Sequence, residues 1–254
     1  GPIAASEKQI LFDSLAVMLA IVIPVILATF AFSWWFRATN PKARYRPDWA
    51  FSGSLELIVW AIPTLVIIFL GGIAWFGSHA LDPYRPLGSK NKTVEIQVVS
   101  LDWKWLFIYP DEGIAATNQL VIPTGTPVHF RITSASVWNA FFVPQLGTMI
   151  YSMAGMVTQL NLQADSPGVF HGISGMFSGE KFADMHFETR ALATADYRQW
   201  VTSSKRSDVS LDKAAYARLA RTRDTTTPTV YRVNDSTLFT SIIGGSATES
   251  PGKP

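Results

Sequence analysis

Residues 14–36 read "SLAVMLAIVIPVILATFAFSWWF" and carry no charge. A helix of that length reaches across a bilayer core of about 30 Å. A second run, "LELIVWAIPTLVIIFLGGIAWF", follows from residue 55 with one acid, Glu56, near its start. Each run has an internal proline, Pro24 and Pro63, which spanning helices tolerate. Trp34, Trp35, Trp60 and Trp75 lie near the run ends or along one face, as interfacial aromatics do. No soluble fold of this size hides two such runs easily, so the chain is expected to be anchored by a transmembrane hairpin at 14–36 and 55–77. The first run is too long for the apolar part of a signal peptide and lacks a small-residue cleavage site after it, so it is expected to be a true span.

Composition agrees with a membrane protein. Only 16% of the 254 residues are charged, against an average of about 25%. The net charge of +2 and the absence of a long basic run argue against nucleic acid. There are no cysteines, which removes disulfides, zinc–thiolate sites, iron–sulfur clusters and thiol catalysis together. Between the runs, Arg37, Lys42, Arg44 and Arg46 oppose only Asp48. Short basic loops stay in the cytoplasm. The loop 37–54 is therefore expected to be cytoplasmic, with the segment 1–13, both termini and the bulk of the chain on the periplasmic side of a bacterial inner membrane.

After a polar, proline-bearing linker at 78–92 the hydrophobic period shortens to two. "TVEIQVVSLDWKWLFIY", "NQLVIPTGTPVHFRITS", "GMVTQLNLQA", "GVFHGI" and "DMHFET" are β-rich and separated by Pro, Gly and Asn. They predict an all-β sandwich or barrel over 93–190. The remainder, 191–254, predicts two short helices, with Thr194 and Ser210 as N-cap candidates, and a loose tail after Thr225.

Chemistry-bearing residues are sparse. No nucleophile elbow, zinc-protease motif or phosphate loop occurs. Of the four histidines, His129 and His186 sit in alternating strands, where packed or surface roles dominate; His171 precedes the glycine-rich stretch "GISGMFSGEKFADM"; His79 lies in the linker. No set of three or four metal donors is legible. Glu56 stands apart. A carboxylate at the edge of an apolar helix either stays solvated at the interface or lies on a proton or ion path.

"VVSLDWKWLFIYPDEGIA", "TSASVWNAFFVPQLGTMIYSMAGMVTQL" and "SPGVFHGISGMFSGEKFADM", placed after two spans and a linker, resemble subunit II of the haem–copper respiratory oxidases, in the quinol oxidase branch. The resemblance covers nearly the whole chain and implies a cupredoxin-like Greek-key sandwich. In the cytochrome c oxidase branch that sandwich holds a two-copper centre, through a first-loop His and a C-x-x-x-C-x-x-x-H-x-x-M loop that also supplies a Glu carbonyl. On this sequence the His position is Asn139, the Cys positions are Ser174 and Ser178, the Glu is Met176 and the second His is Phe182; only Met185 is retained. Serine is a hard neutral hydroxyl, phenylalanine has no lone pair, and one thioether cannot hold copper alone. The resemblance therefore implies a non-catalytic subunit with no cofactor of its own. Haems, copper and the quinol site would belong to subunit I, and cytochrome c would not be a partner. It also implies a proton-entry role for Glu56, and it makes Trp103 and Trp105 of "DWKW" candidates for contact with subunit I, against the alternative that they are sandwich core. The branch usually begins its mature chain at a lipidated Cys; this sequence begins at Gly1. A copper-bearing cytochrome c oxidase subunit and a stand-alone membrane-anchored module of the same fold are the rival readings.

Overall fold

The computed structural model describes residues 1–44, 46–89, 91–222 and 227–245. The end of the expected tail, 246–254, lies outside the described residues. The chain divides into a unit of residues 6–82 and a unit made of residues 1–5 and the chain from 83 onward.

The first unit is built on two helices, α1 (Pro2–Trp35) and α2 (Gly53–Ala80). Neither contains a buried residue, although both are long and apolar enough to cross a membrane. An apolar surface exposed all round has no stable place in water, so these helices require lipid or protein around them. Several of their hydroxyls are satisfied within the helix. Thr29, Ser33 and Thr64 each donate to the carbonyl one turn earlier, at 2.7 Å. A Cβ at Gly77 would stand 2.7 Å from Ile10 Cδ1, so the absent side chain lets the two helices approach there. Both helices overrun the expected spans. α1 starts at Pro2 rather than near 14 because "IAASEKQI" is made largely of residues that favour helix, whatever their polarity.

The second unit is a β-sandwich followed by a helical extension. Its strands are β1 (Val94–Leu101), β2 (Lys104–Tyr109), β3 (Ile114–Thr117), β4 (Gln119–Pro123), β5 (Val128–Ser134), β6 (Asn139–Phe142), β7 (Ile150–Ser152), β8 (Thr158–Leu162), β9 (Gly168–Ser174), β10 (His186–Leu192) and β11 (Thr229–Arg232). The helices of the extension are α3 (Thr194–Ser204), α4 (Lys213–Arg221) and α5 (Leu238–Ile243). One sheet runs β11-β3-β2-β1-β5-β8 and the other β4-β10-β9-β6-β7. The pairs β1–β5 and β4–β10 are parallel; the other neighbours are antiparallel.

The main core lies between the sheets. Trp105 meets Phe141 and Phe187 edge-on, with ring centroids 5.6 Å apart in each case, and Phe141 stacks on Phe187 at 5.2 Å. A second core covers the outer face of the first sheet, where Val99, Leu101, Leu106 and Ile108 pack with Leu211, Tyr216, Leu238, Phe239 and Ile242 of the extension. This explains why β2 is buried along its whole length rather than on alternate residues: both of its faces are covered. The extension also supplies β11, which pairs with β3 at the sheet edge. The sequence predicts only helices and a tail there.

Both helix caps differ from expectation. α3 starts on Thr194 itself, with Ala193 at the N-cap and no side-chain cap bond, because the helix follows β10 almost directly. In α4 the cap is Asp212, not Ser210; its carboxylate accepts from Ala215 N at 2.7 Å. A carboxylate at that position also complements the helix dipole, which a hydroxyl does not.

One phenol joins the two sheets. Tyr109 OH, on β2, donates to Val121 O at 3.0 Å and accepts from Val121 N at 2.8 Å. Val121 lies on β4, an edge strand of the other sheet. Burial holds the Tyr109 hydroxyl far above the usual phenol range, so it stays neutral and keeps both roles. Tyr109→Phe would leave an N–H and a carbonyl without partners, at a cost of about 2–3 kcal/mol. Thermal unfolding of the purified chain should then begin about 4–10 °C lower.

Candidate functional site

The loop carrying "GISGMFSGEKFADM" connects β9 to β10 beneath the end of β6. β6 and β9 are paired antiparallel, with Phe141 opposite Ser174, and this register brings Asn139 within reach of a residue 35 positions later. Ser174 Oγ donates to Asn139 Oδ1 at 3.2 Å and to the Met176 carbonyl at 3.3 Å, one proton shared between two acceptors. Asn139 Nδ2 donates to Val137 O at 3.1 Å. The Ser174 amide donates to Met185 O at 3.1 Å, and the Gly175 amide to Ala140 O at 2.9 Å. Asn139, Ser174 and Met185 are 0%, 4% and 1% exposed. Four of the six expected positions therefore meet: Asn139, Ser174, the Met176 carbonyl and Met185.

The other two are not hydrogen-bonded into this group. Ser178 Oγ is buried and has no hydrogen-bond partner. Phe182 turns its ring onto Phe177, with centroids 5.7 Å apart. A single 3-10 turn, Phe182–Asp184, delivers the chain to Met185.

As a copper site, this donor set does not fit. It offers an amide, two hydroxyls, a phenyl ring and one thioether, with no thiolate and no imidazole. Among the described residues, no group of three or more His, Cys, Asp or Glu converges elsewhere. His129 is satisfied by Asn161 Oδ1 at 3.0 Å across the β5–β8 pair, and His171 and His186 are exposed on β9 and β10.

The tryptophans of "DWKW" separate. Trp105 is 0% exposed and belongs to the core between the sheets, so its indole is not available for contact with another chain. The expectation of a subunit contact is corrected for that residue: an inward position on β2 buries it. Trp103 sits in the β1–β2 turn at φ 56° and is half-buried. Its indole lies against Gly179 of the loop, where an added Cβ would be 3.5 Å away. Residue type alone gave no signal to tell the two apart; the turn between them did.

Glu56 lies in the first turn of α2. Its amide donates to Ser52 O at 2.9 Å. Among the described residues its carboxylate has no hydrogen bond or ion pair. It is the one acidic residue of the 28-residue helix.

A profile of the cytochrome C oxidase subunit II periplasmic domain matches residues 112–192, a span that includes every position of the loop described above. Over 243 residues the chain is 46% identical to the cytochrome bo(3) ubiquinol oxidase subunit 2 of Pseudomonas aeruginosa, covering 96% of this chain and 73% of that protein. The chain belongs to the ubiquinol oxidase subunit II family. A further member, ubiquinol oxidase subunit 2 of Acetobacter aceti, is 47% identical over 222 residues, 87% of this chain and 72% of its own. Among solved structures, the periplasmic domain of subunit II of cytochrome oxidase from Bradyrhizobium japonicum aligns with a TM-score of 0.42 at 23% identity, over 43% of this chain and 91% of that one. Family membership gives the loop its meaning. These relatives are named for ubiquinol oxidation.

Proposed function

We propose that the chain is the non-catalytic subunit II of a proton-pumping terminal oxidase, which oxidises ubiquinol and reduces oxygen to water in an aerobic respiratory chain. The observation that carries this reading is the hydrogen-bonded cluster of Asn139, Ser174 and the Met176 carbonyl, where donors that hold copper would have to stand. Without thiolates the domain has no group that can accept an electron. Electrons then enter the complex elsewhere, from a membrane-soluble donor. Two ubiquinols release four electrons and four protons, and one oxygen takes four of each to give two waters.

In this reading the haems, copper and quinol site are on subunit I. The chain's own residues do three things. α1 and α2 anchor the subunit in the bacterial inner membrane against its partners, the β-domain lies on the periplasmic side, and Glu56 presents a carboxylate at the cytoplasmic end of α2 where protons are drawn in. Trp103, half-exposed beside the loop, is the remaining candidate for a contact with subunit I. The copper-bearing alternative fails on the donor set, and a stand-alone module has no observation in its favour.

Oxygen consumption by the complex purified in mild detergent tests the proposal. Ubiquinol should support turnover and reduced cytochrome c should not. Activity with cytochrome c alone would reverse the assignment, and purification without any haem-bearing partner would remove it.

A further inference from the structure

Between α1 and α2 the chain folds into a concavity of about 810 Å³ whose lining includes Arg37, Lys42, Arg44 and Arg46, with Trp35 and Trp49. Asp48, the only acid between residues 37 and 54, is not part of that lining. Arg37 is already oriented: its guanidinium donates to Trp34 O at 3.1 Å and to Thr39 Oγ1 at 3.2 Å, and lies 5.0 Å from the Trp34 ring centroid. Lys42, Arg44 and Arg46 have no ion-pair partner among the described residues. Four exposed cations line the cavity with no carboxylate among them, so an anion seated there would meet only attraction.

The position of the cavity selects the anion. It closes the short connection between two helices that need lipid around them, and Trp35 and Trp49 are both exposed large aromatics. Tryptophans of this kind settle at headgroup depth. Basic pockets between membrane helices hold anionic headgroups. Guanidinium forks match phosphate oxygens two at a time, and the indoles offer apolar edges to the glycerol and upper acyl chain. We propose that this cavity is a binding site for the phosphate headgroup of one anionic phospholipid. The proposal rests on the reading of α1 and α2 as a membrane hairpin, not on the identity of the electron donor.

The test uses the complex purified in mild detergent and stripped of lipid, titrated with phosphatidylglycerol or phosphatidylcholine in mixed micelles. Retained lipid is read by extraction and mass spectrometry. Phosphatidylglycerol should bind saturably, phosphatidylcholine should not, and inorganic phosphate should displace little. Each cation near a membrane surface contributes about a fivefold gain in affinity, so Lys42→Gln/Arg44→Gln/Arg46→Gln together should weaken binding about a hundredfold. Removing loop cations also weakens the signal that orients the hairpin. Arg37→Lys/Arg44→Lys/Arg46→Lys keeps every charge and loses the forks; it should insert normally and still bind several-fold more weakly. Unchanged phosphatidylglycerol binding in the lysine variant, together with either normal binding or failed insertion in the glutamine variant, would overturn the site. So would full displacement by inorganic phosphate, which marks a free-anion site, or crosslinking of Lys42 to an acidic segment of another subunit in place of lipid. Haem content and ubiquinol oxidation are measured on the same samples. Normal values with no phosphatidylglycerol preference would sink the lipid site alone, whereas absent haem would sink the oxidase reading alone.

Discussion

A variant carrying Asn139→His, Ser174→Cys, Met176→Glu, Ser178→Cys and Phe182→His should retain copper through exhaustive dialysis, where the unaltered chain retains none. The case is geometric. β6 and β9 already hold positions 139 and 174 in side-chain contact, and the carbonyl of residue 176 already turns toward the same point. Met185 is in place and buried. What the site lacks is donor chemistry, and two thiolates with two imidazoles supply it in the form copper prefers. There is a steric cost. Asn139 is fully enclosed, and a larger ring there overpacks by about 1–3 kcal/mol. Ser178 is not hydrogen-bonded into the cluster and Phe182 packs on Phe177, so the loop from 175 to 184 must adjust. Nothing in the second core depends on it, and Phe177 at its tip is exposed. Metal binding free energy at sites with thiolate ligands is about 10 kcal/mol or more, well above that cost. Copper per folded chain, by elemental analysis, is the readout. A variant that keeps Ser178 should bind much less, because a bridged pair of ions needs both sulfurs. A five-fold variant that folds normally and holds no copper would show that the loop is not a metal loop at all.

Different parts of this molecule were legible in the sequence to different degrees, for physical reasons. The two long apolar helices were plain because runs of that length with at most one charge have few other homes. Their ends were not, because helix propensity carried α1 through polar residues to Pro2. The sandwich was announced by alternation, yet β2 reads as a nearly continuous apolar stretch and β1 is buried along most of its length, since the extension covers the outer face of their sheet. β11 escaped because four residues, "TVYR", are too short for a period to show. The loop is the instructive case. Its spacing and glycines could be quoted from the sequence, and resemblance assigned each lost ligand, but only the β6–β9 register places Asn139 against Ser174. Trp103 and Trp105 share a residue type and differ in fate because one sits in a turn and the other points inward from β2. The basic loop 37–54 was legible as a signal for orientation, while its folding into a cavity was not.

Glu56→Gln should slow ubiquinol oxidation about tenfold, at the low end of what a focusing charge contributes to the capture of an ion, and leave the haem content of the complex unchanged. The amide keeps the size of the side chain and its capacity to hydrogen-bond. It removes only the charge and the ability to take up and release a proton. Three features motivate the proposed exchange at Glu56: it is the one acid on an otherwise apolar helix, it lies in the first turn, and no described residue pairs with its carboxylate. The same position supports a second role, because a carboxylate near a helix N-terminus complements the helix dipole by about 0.3–1 kcal/mol. The two roles predict different losses. If Glu56 serves only the dipole, Glu56→Gln lowers the unfolding temperature slightly and turnover is untouched. If it admits protons, turnover falls while stability barely moves, Glu56→Asp recovers most of the rate, and proton uptake from the cytoplasmic side slows in step with oxygen consumption. Oxygen electrode rates at saturating ubiquinol, taken with haem content and unfolding temperature on the same preparations, separate these outcomes, and unchanged turnover in Glu56→Gln would remove the proton-entry role.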